Sequence, residues 1–403
     1  MAGILCAYFL KQSGINCVLV EAGKIGAGIT KNTTAKITSQ HGLIYDKLIK
    51  DVGIEKAKMY LNANQNAVAQ FKELSVQFPC SLENKDAFVF SLKDSHTIEH
   101  EVRAANRLGF NAQLVKEIPL PFKTAGAVKF DNQSQFNPLQ FLYGIANGLN
   151  IYENTIVHEL ANHIAITDNA RIKADKIIIA THFPFLNKHG SYFLKMYQRR
   201  SYVIALENAV DIDGMYIQDV KDGISMRNYN DYLLIGGGGH RTGEVGGGWK
   251  TLRNFAKKYY PNAVEKYAWA TQDCMTLDGL PYIGRYSGST SDLYVSTGFN
   301  KWGMTGSMVG ATILTDMILG RRNPYAEVFS PISKSRSMLK PQLAINGVKA
   351  VGNLLTPSTP RCPHMGCALK WNCTERSWDC PCHGSRFEKS GKLIDNPATG
   401  GLK

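Results

Sequence analysis

Two short loops near the end of the chain carry the residues best suited to redox or metal chemistry. The first reads Cys362-Pro363-His364-Met365-Gly366-Cys367; the second, twelve residues later, reads Cys380-Pro381-Cys382-His383-Gly384-Ser385. Five of the nine cysteines lie between positions 362 and 382 and interleave with two histidines, so the loops can converge on one metal centre. Thiolate and imidazole donors suit iron–sulfur or zinc chemistry. A Cys2His2 zinc site usually takes its ligands as one Cys pair and one His pair. Here each loop offers a mixed Cys/His pair, with a second Cys pair beside it.

The order C-x-H then C-x-x-H resembles the Rieske proteins, in which two Cys hold one iron of a 2Fe–2S cluster and two His hold the other. That resemblance nominates Cys362, His364, Cys380 and His383 as metal ligands. It also matches Cys367 and Cys382 to the pair that forms a disulfide between the loops in Rieske proteins of the cytochrome bc type. Ser385 stands at the position of a serine that faces the cluster in high-potential members, whereas Phe387 occupies the position of their tyrosine.

The elements that must position these loops lie upstream. At 403 residues the chain exceeds one ordinary domain and can bury a substantial core. With 44% hydrophobic and 20% charged residues it reads as globular, and no apolar run reaches the roughly 18 residues of a membrane span. The opening MAGILCAYFL lacks the basic leader of a signal peptide, so a cytoplasmic location is expected. The net charge of +13 is uneven, with 13 Lys/Arg against 5 Asp/Glu from Arg321 onward. Such a surface suits an acidic partner, such as an acidic redox protein, or anionic lipid or nucleic acid; the alternative is an ordinary solvated basic face. No zinc-finger spacing, RNP-type motif or basic helix accompanies it, so nucleic acid is not an expected partner.

Residues 2–13 have helical spacing and stop at Gly14, and Cys17–Glu21 reads as a buried strand ending in an acid. Helix, strand and carboxylate form the second half of a dinucleotide-binding unit, with Glu21 near the place of the ribose-binding acid and Gly3 at the end of a G-x-G-x-x-G turn. The first strand and its two glycines do not precede it, so the given start reads as an internal Met of a longer frame, one that leaves the sheet without its central strand. Gly26-Ala27-Gly28 and Thr33-Thr34-Ala35-Lys36 follow. Residues 44–77 read as helix. The run Ala174–Thr181 suits a buried parallel strand. Residues 196–270 alternate as antiparallel strands. Late in the chain come Asp278-Gly279-Leu280-Pro281-Tyr282-Ile283-Gly284, a strand, and Gly298–Thr305 leading into a helix.

This ordered series resembles FAD-dependent oxidoreductases of the D-amino-acid oxidase/glycine oxidase superfamily. The resemblance implies an α/β FAD-binding Rossmann-like domain (1–50, 125–185, 270–325), an α+β antiparallel-sheet substrate domain (51–124, 186–269), a linker (326–360) and a small β cluster subdomain (361–403). It nominates Gly3, Glu21, Gly28, Thr33, Thr34, Lys36, Asp278, Gly279, Gly298, Gly303, Met304 and Thr305 as FAD contacts. Arg199, Arg200 and Arg241 are candidates to clamp a substrate carboxylate. No catalytic base is identifiable. His182 departs from the family's A-T-G element, where glycine is usual, and His41 follows the second cofactor stretch, where some relatives tether flavin. The combined expectation is an enzyme that oxidises an amine or amino-acid-like compound and passes electrons from reduced flavin to the cluster. The alternatives are an oxygen-reoxidised oxidase with a structural or redox-sensing cluster, a non-catalytic electron carrier, and an inactive truncated fragment.

With Phe387 in place of tyrosine, fewer hydrogen bonds reach the cluster sulfurs. The reduction potential should therefore fall below the top of the Rieske range of about −150 to +300 mV. An EPR-monitored redox titration checks this, and a midpoint at the upper limit contradicts it.

Overall fold

The computed structural model describes residues 1–402 except 162, 188, 334, 335, 337–340, 358 and 359; side chains of 341–343, 349 and 350 are also not described. Helix Ala2–Gln12 buries Ile4, Leu5, Cys6 and Leu10 against helix Gly303–Ile318. It ends where Gly14 takes φ +77°, a conformation open to glycine. Strand Leu19–Val20 pairs in parallel with Ile151–Tyr152, and strand Ile177–Ile179 pairs in parallel with Leu293–Thr297, which also carries Tyr282–Arg285 antiparallel. Among the described residues no strand joins these two sheets. The first helix spans the gap: a Cβ on Gly3 would lie 3.4 Å from Leu19 Cδ1 and 3.8 Å from Ala180 Cβ.

A nine-stranded mixed sheet forms the second layer, in the order 264–276, 196–207, 232–241, 225–229, 215–218, 83–91, 126–135 and 36–37, with 113–115 on the flank of 126–135. Strand Gly126–Gln135, expected with the cofactor domain, pairs along its whole length with Glu83–Ser91 in this sheet. The single helix expected over 44–77 is two, Tyr45–Val52 and Ile54–Gln77, because Gly53 at φ +84° turns the chain between them. The segment expected as a linker contains helices Ala326–Phe329 and Pro341–Leu355. Between them Arg336 is clamped to both carboxylate oxygens of Asp278 (2.6 and 2.7 Å). It also reaches the Leu280, Pro281 and Phe329 carbonyls and lies 4.0 Å over the Tyr282 ring. Asp278 thus serves this clamp.

The C-terminal subdomain is a four-stranded antiparallel meander of strands 370–372, 377–379, 386–388 and 393–395, all following the first cysteine loop. Its own apolar cluster is small, built on the four loop cysteines, Leu369, Phe387 and Ala398. It gains burial by docking on strands Met196–Glu207 and Val264–Thr276. At that contact Arg200, 3% exposed, forms a two-pronged pair with Glu375, and Arg386 joins Glu375, Asp379 (3.0 Å) and Asp395 (3.0 Å). Burial alone would raise the Glu375 pKa, but Arg200 and Arg386 outweigh it and hold the carboxyl below its usual range.

Removing one member of a buried ion pair leaves the others uncompensated. Glu375→Gln should therefore cost about 3–5 kcal/mol, read as a lowered denaturant midpoint followed by Trp371 and Trp378 fluorescence. An unchanged midpoint would show that the network is not what holds the subdomain down.

Candidate redox centre and flavin cavity

The two loops meet as hairpin-like turns closed by their own backbone. Cys362 N–H donates to the Cys367 carbonyl, Gly366 N–H to Cys362, Cys380 N–H to Ser385, and Gly384 N–H to Cys380. Cys367 and Cys382 form a disulfide between the loops. The sulfurs of Cys367, Cys380 and Cys382 lie within 4.8 Å of one another. Two of these are covalently joined, so Cys362 and Cys380 remain as the buried thiols. They share a hydrogen bond. That bond, with the amides of His364 and Met365 and the Ser385 hydroxyl, lowers Cys362 to about 7 against the opposing effect of burial. The same contact and burial keep Cys380 high.

The rings of His364 and His383 stand 4.9 Å apart and nearly perpendicular, and the Nδ1 atom of each is buried without a hydrogen-bond partner. Burial lowers His364 to about 4 and His383 to about 3, the latter assisted by His364 and Arg241. Both imidazoles are therefore neutral, with a free lone pair on Nδ1. Two thiols and two orphaned Nδ1 atoms fit a cluster held by Cys362, Cys380, His364 and His383, since neutral imidazole and thiolate are the ligating forms.

The flavoprotein body orients these ligands. Asn187 Oδ1 lies 3.0 Å from His364 Nε2, and the Phe193 carbonyl is the hydrogen-bond partner of His383. Gln198 donates to the carbonyls of His383 and Asn396 (both 2.9 Å), and Gln272 donates to that of Gly384 (2.9 Å). Partners of this kind fix ring tautomer and orientation at metal sites. The contact is close: a Cβ on Gly384 would fall 2.6 Å from Gln198 Cβ, and one on Gly243 2.6 Å from Pro381 Cα.

A cavity of about 2350 Å³ runs between the layers. Of the nominated FAD contacts, Gly3, Glu21, Gly28, Thr33, Thr34, Lys36, Gly303 and Met304 line it, whereas Asp278, Gly279, Gly298 and Thr305 do not. Its features fit a dinucleotide. Helix Gly303–Ile318 has no side-chain cap at its N-terminus, and a Cβ on Gly303 would meet only Phe299, at 4.0 Å, so backbone can approach a ligand there. Unsatisfied N–H groups at a helix start favour negative charge, as on a reduced flavin. Thr305 supports this turn from behind, with its Oγ1 3.0 Å from His41 Nε2. His41 also contacts Tyr60 through Nδ1 (2.6 Å) and stacks on Trp302, so both ring nitrogens are occupied by protein.

The structure gives each candidate arginine a protein partner: Arg199 pairs with Asp222, Arg200 with Glu375, and Arg241 with Asn346 (2.8 Å) and the Cys382 carbonyl (3.3 Å). A different pair of cations makes no direct ion pair among the described residues, although Glu83 acts on the charge of Arg227 from a distance. Lys36 lines the cavity and donates to Ser225 Oγ (2.6 Å). Arg227, two residues on along the strand, is buried behind the cavity wall rather than lining it: it makes long contacts to the Phe136 and Asn228 carbonyls, lies 5.6 Å over the Tyr229 ring and leaves Nε unpartnered. Burial, and then Arg227, lower Lys36 to about 7. The sequence signal for this pair was the S-x-R alternation in strand Ser225–Tyr229, facing the T-x-K of the flavin stretch.

These features coincide with two families. Residues 1–317 match the FAD dependent oxidoreductase (DAO) family and residues 339–403 the Rieske [2Fe-2S] domain, and the chain belongs to the DAO family with a C-terminal Rieske domain. Its cofactors are FAD and a 2Fe–2S cluster. The Bacillus subtilis (strain 168) protein YhfW, described as a Rieske 2Fe-2S iron-sulfur protein, is 34% identical over an alignment of 470 residues covering all of this chain and 91% of the relative. The cytochrome b6-f iron-sulfur subunit of Nostoc punctiforme is 46% identical, but over 37 residues only, 9% of this chain and 21% of that protein. Among solved structures, glycine oxidase from Geobacillus kaustophilus superposes with a TM-score of 0.71 at 18% identity, covering 84% of this chain and 96% of that one. L-proline dehydrogenase from P. horikoshii gives 0.70 at 17% identity, with 82% and 94% covered. No helix among the described residues is long and apolar enough to cross a membrane.

The cost of burying the Lys36 ammonium falls on the folded state below about pH 7 and is relieved above it. An anion held there needs the charged form, so its binding should weaken as pH rises through about 7, by up to about tenfold per pH unit for one linked proton. Titrating a small carboxylate against flavin absorbance from pH 5.5 to 9 (approximate limits that bracket the Lys36 titration) checks this. Lys36→Met should bind weakly and with little pH dependence.

Proposed function

We propose that the protein oxidises an amine that carries a carboxylate, an amino-acid-like compound, and relays the electrons through the Rieske cluster to a one-electron acceptor. The observation that carries the relay is a shared wall: residues 392–396 and 398–401 of the cluster subdomain line the same cavity as Gly3, Glu21 and Gly303, which the sequence nominates as FAD contacts. The neighbours named glycine oxidase and L-proline dehydrogenase support the substrate class. When bound, FAD supplies a two-electron hydride acceptor and the cluster a one-electron carrier.

The chain's own residues do the rest. Lys36 offers positive charge for the substrate carboxylate at the cavity wall, reinforced by the field of the buried Arg227 behind it, with the Ser225 hydroxyl as an additional donor. The N-terminus of helix Gly303–Ile318 presents N–H groups where negative charge gathers. The C-terminal segment of the cluster subdomain covers one side of the cavity and limits water entry, which strengthens electrostatic interactions inside. Asn187 and the Phe193 carbonyl hold the two histidines in register.

Anaerobic mixing of the purified protein with a panel of amino acids and secondary amines should bleach the flavin with at least one compound and then produce the reduced-cluster EPR signal. His383→Ala should keep the bleaching and lose turnover with ferricyanide while retaining any turnover with oxygen. Bleaching by no member of the panel would overturn the substrate class; bleaching without a cluster signal would overturn the relay.

A further inference from the structure

One turn of the chain touches both redox sites. Strand Ile177–Ile179 runs into Ala180-Thr181-His182-Phe183, where consecutive side chains face different centres. His182 lines the flavin cavity, and its Nε2 is buried without a partner. Phe183, fully buried, sets its ring edge-on to the ring of His383 at 6.2 Å. The turn is gripped by the cluster subdomain, since Asn396 Nδ2 donates to the carbonyls of both Thr181 and Phe183. From the other side the Thr297 hydroxyl donates to the His182 carbonyl. Gln198, which bonds the His383 carbonyl, is also a hydrogen-bonding neighbour of the His182 side chain.

The backbone makes this histidine notable. His182 has φ +66°, a left-handed conformation that disfavours a side chain with a Cβ and that glycine adopts freely. A histidine that keeps such a conformation at the junction of two sites is an observed outlier from which a role can be inferred.

We propose that the Thr181–Phe183 turn is the bridge between flavin and cluster, with His182 as the positioning residue on the flavin side and Phe183 on the cluster side. The proposal rests on the relay argued above. Each transfer moves one electron onto the cluster and converts one ferric ion to ferrous. Two transfers, with release of one proton to water from the anionic two-electron-reduced flavin, restore oxidised flavin. An external one-electron acceptor, ferricyanide in the test, takes each electron from the cluster in turn.

The test uses the full-length holoprotein and photoreduces the flavin anaerobically, following cluster reduction by absorbance and freeze-quench EPR. His182→Gly relieves the backbone, so its thermal midpoint should equal or exceed that of the wild type. Its flavin-to-cluster transfer should slow by about 10- to 100-fold, the range seen when partners outside a metal's ligand shell are lost. Phe183→Leu, which keeps an apolar side chain in the same place, should slow it as well. In both variants the dithionite-reduced EPR signal should be retained, which separates loss of transfer from loss of the cluster. Transfer within about twofold of wild type in both variants, well short of the expected loss, would overturn the bridge while leaving the relay intact. Absence of any transfer in the wild type would overturn the relay and the bridge with it.

Discussion

The arrangement depends on a buried contact between an arginine of one domain and a glutamate of the other. Arg200 lies on a central strand of the large sheet and Glu375 in a turn of the cluster subdomain, 175 positions apart. Neither charge could stay buried alone, because desolvation of an unpaired ion costs several kcal/mol. Arg386 shares the glutamate and brings Asp379 and Asp395 into the group, while Tyr202 adds a hydroxyl at 3.0 Å. Arg386 finds its acids within the subdomain, but Arg200 is satisfied only when the subdomain is seated. Docking is therefore specified by charge pairing over and above apolar burial.

This seating has a chemical consequence. A subdomain of about forty residues with four three-residue strands has little core of its own. The two histidines of its loops, His364 and His383, take their orienting hydrogen bonds from Asn187 and Phe193, both in the flavoprotein body. The carbonyls of its second loop are satisfied by Gln198, Gln272 and Arg241. Ligand geometry and interface are thus one structure, and a change on either side is felt on the other. The Cys367–Cys382 disulfide lies inside this region with both residues buried, protected from the reductants that remove exposed disulfides.

The cysteine loops were legible in the sequence because their ligand spacing is local and each loop closes on its own backbone. The FAD-type stretches share that short-range character in their glycine turns and helix starts, yet of the residues nominated from them Asp278, Gly279, Gly298 and Thr305 do not line the cavity. The arginines were not. Arg199, Arg200 and Arg241 stand in alternating strands and look alike in sequence, and their partners Asp222, Glu375 and Cys382 become neighbours only through sheet pairing and docking. Asp278 illustrates the same limit: it sits in a motif associated with flavin, yet its carboxylate is fully engaged by Arg336, 58 positions later. Arg227 does not stand out in the sequence, because nothing in its neighbourhood there shows that it makes no ion pair. That becomes visible only when every partner has been placed.

In the reading proposed above, Lys36, with Arg227 behind it, would make the cavity favour an anion over a neutral amine. Lys36 and Arg227 are close enough that Arg227 lowers the lysine, and burial lowers it more. Burial likewise lowers Arg227 to about 10. The folded protein carries this unfavourable pair, and an incoming carboxylate would offset both the desolvation of Lys36 and its repulsion from Arg227. In a buried setting that relief exceeds what an exposed lysine would give, because the effective dielectric is lower than in water. Binding of the carboxylate would also restore the proton to Lys36 near neutral pH, making uptake of substrate and uptake of a proton a single linked event. With Arg199, Arg200 and Arg241 engaged by protein partners, the charge of a carboxylate substrate would in that reading fall to Lys36, a lysine whose ionisation the substrate would itself control.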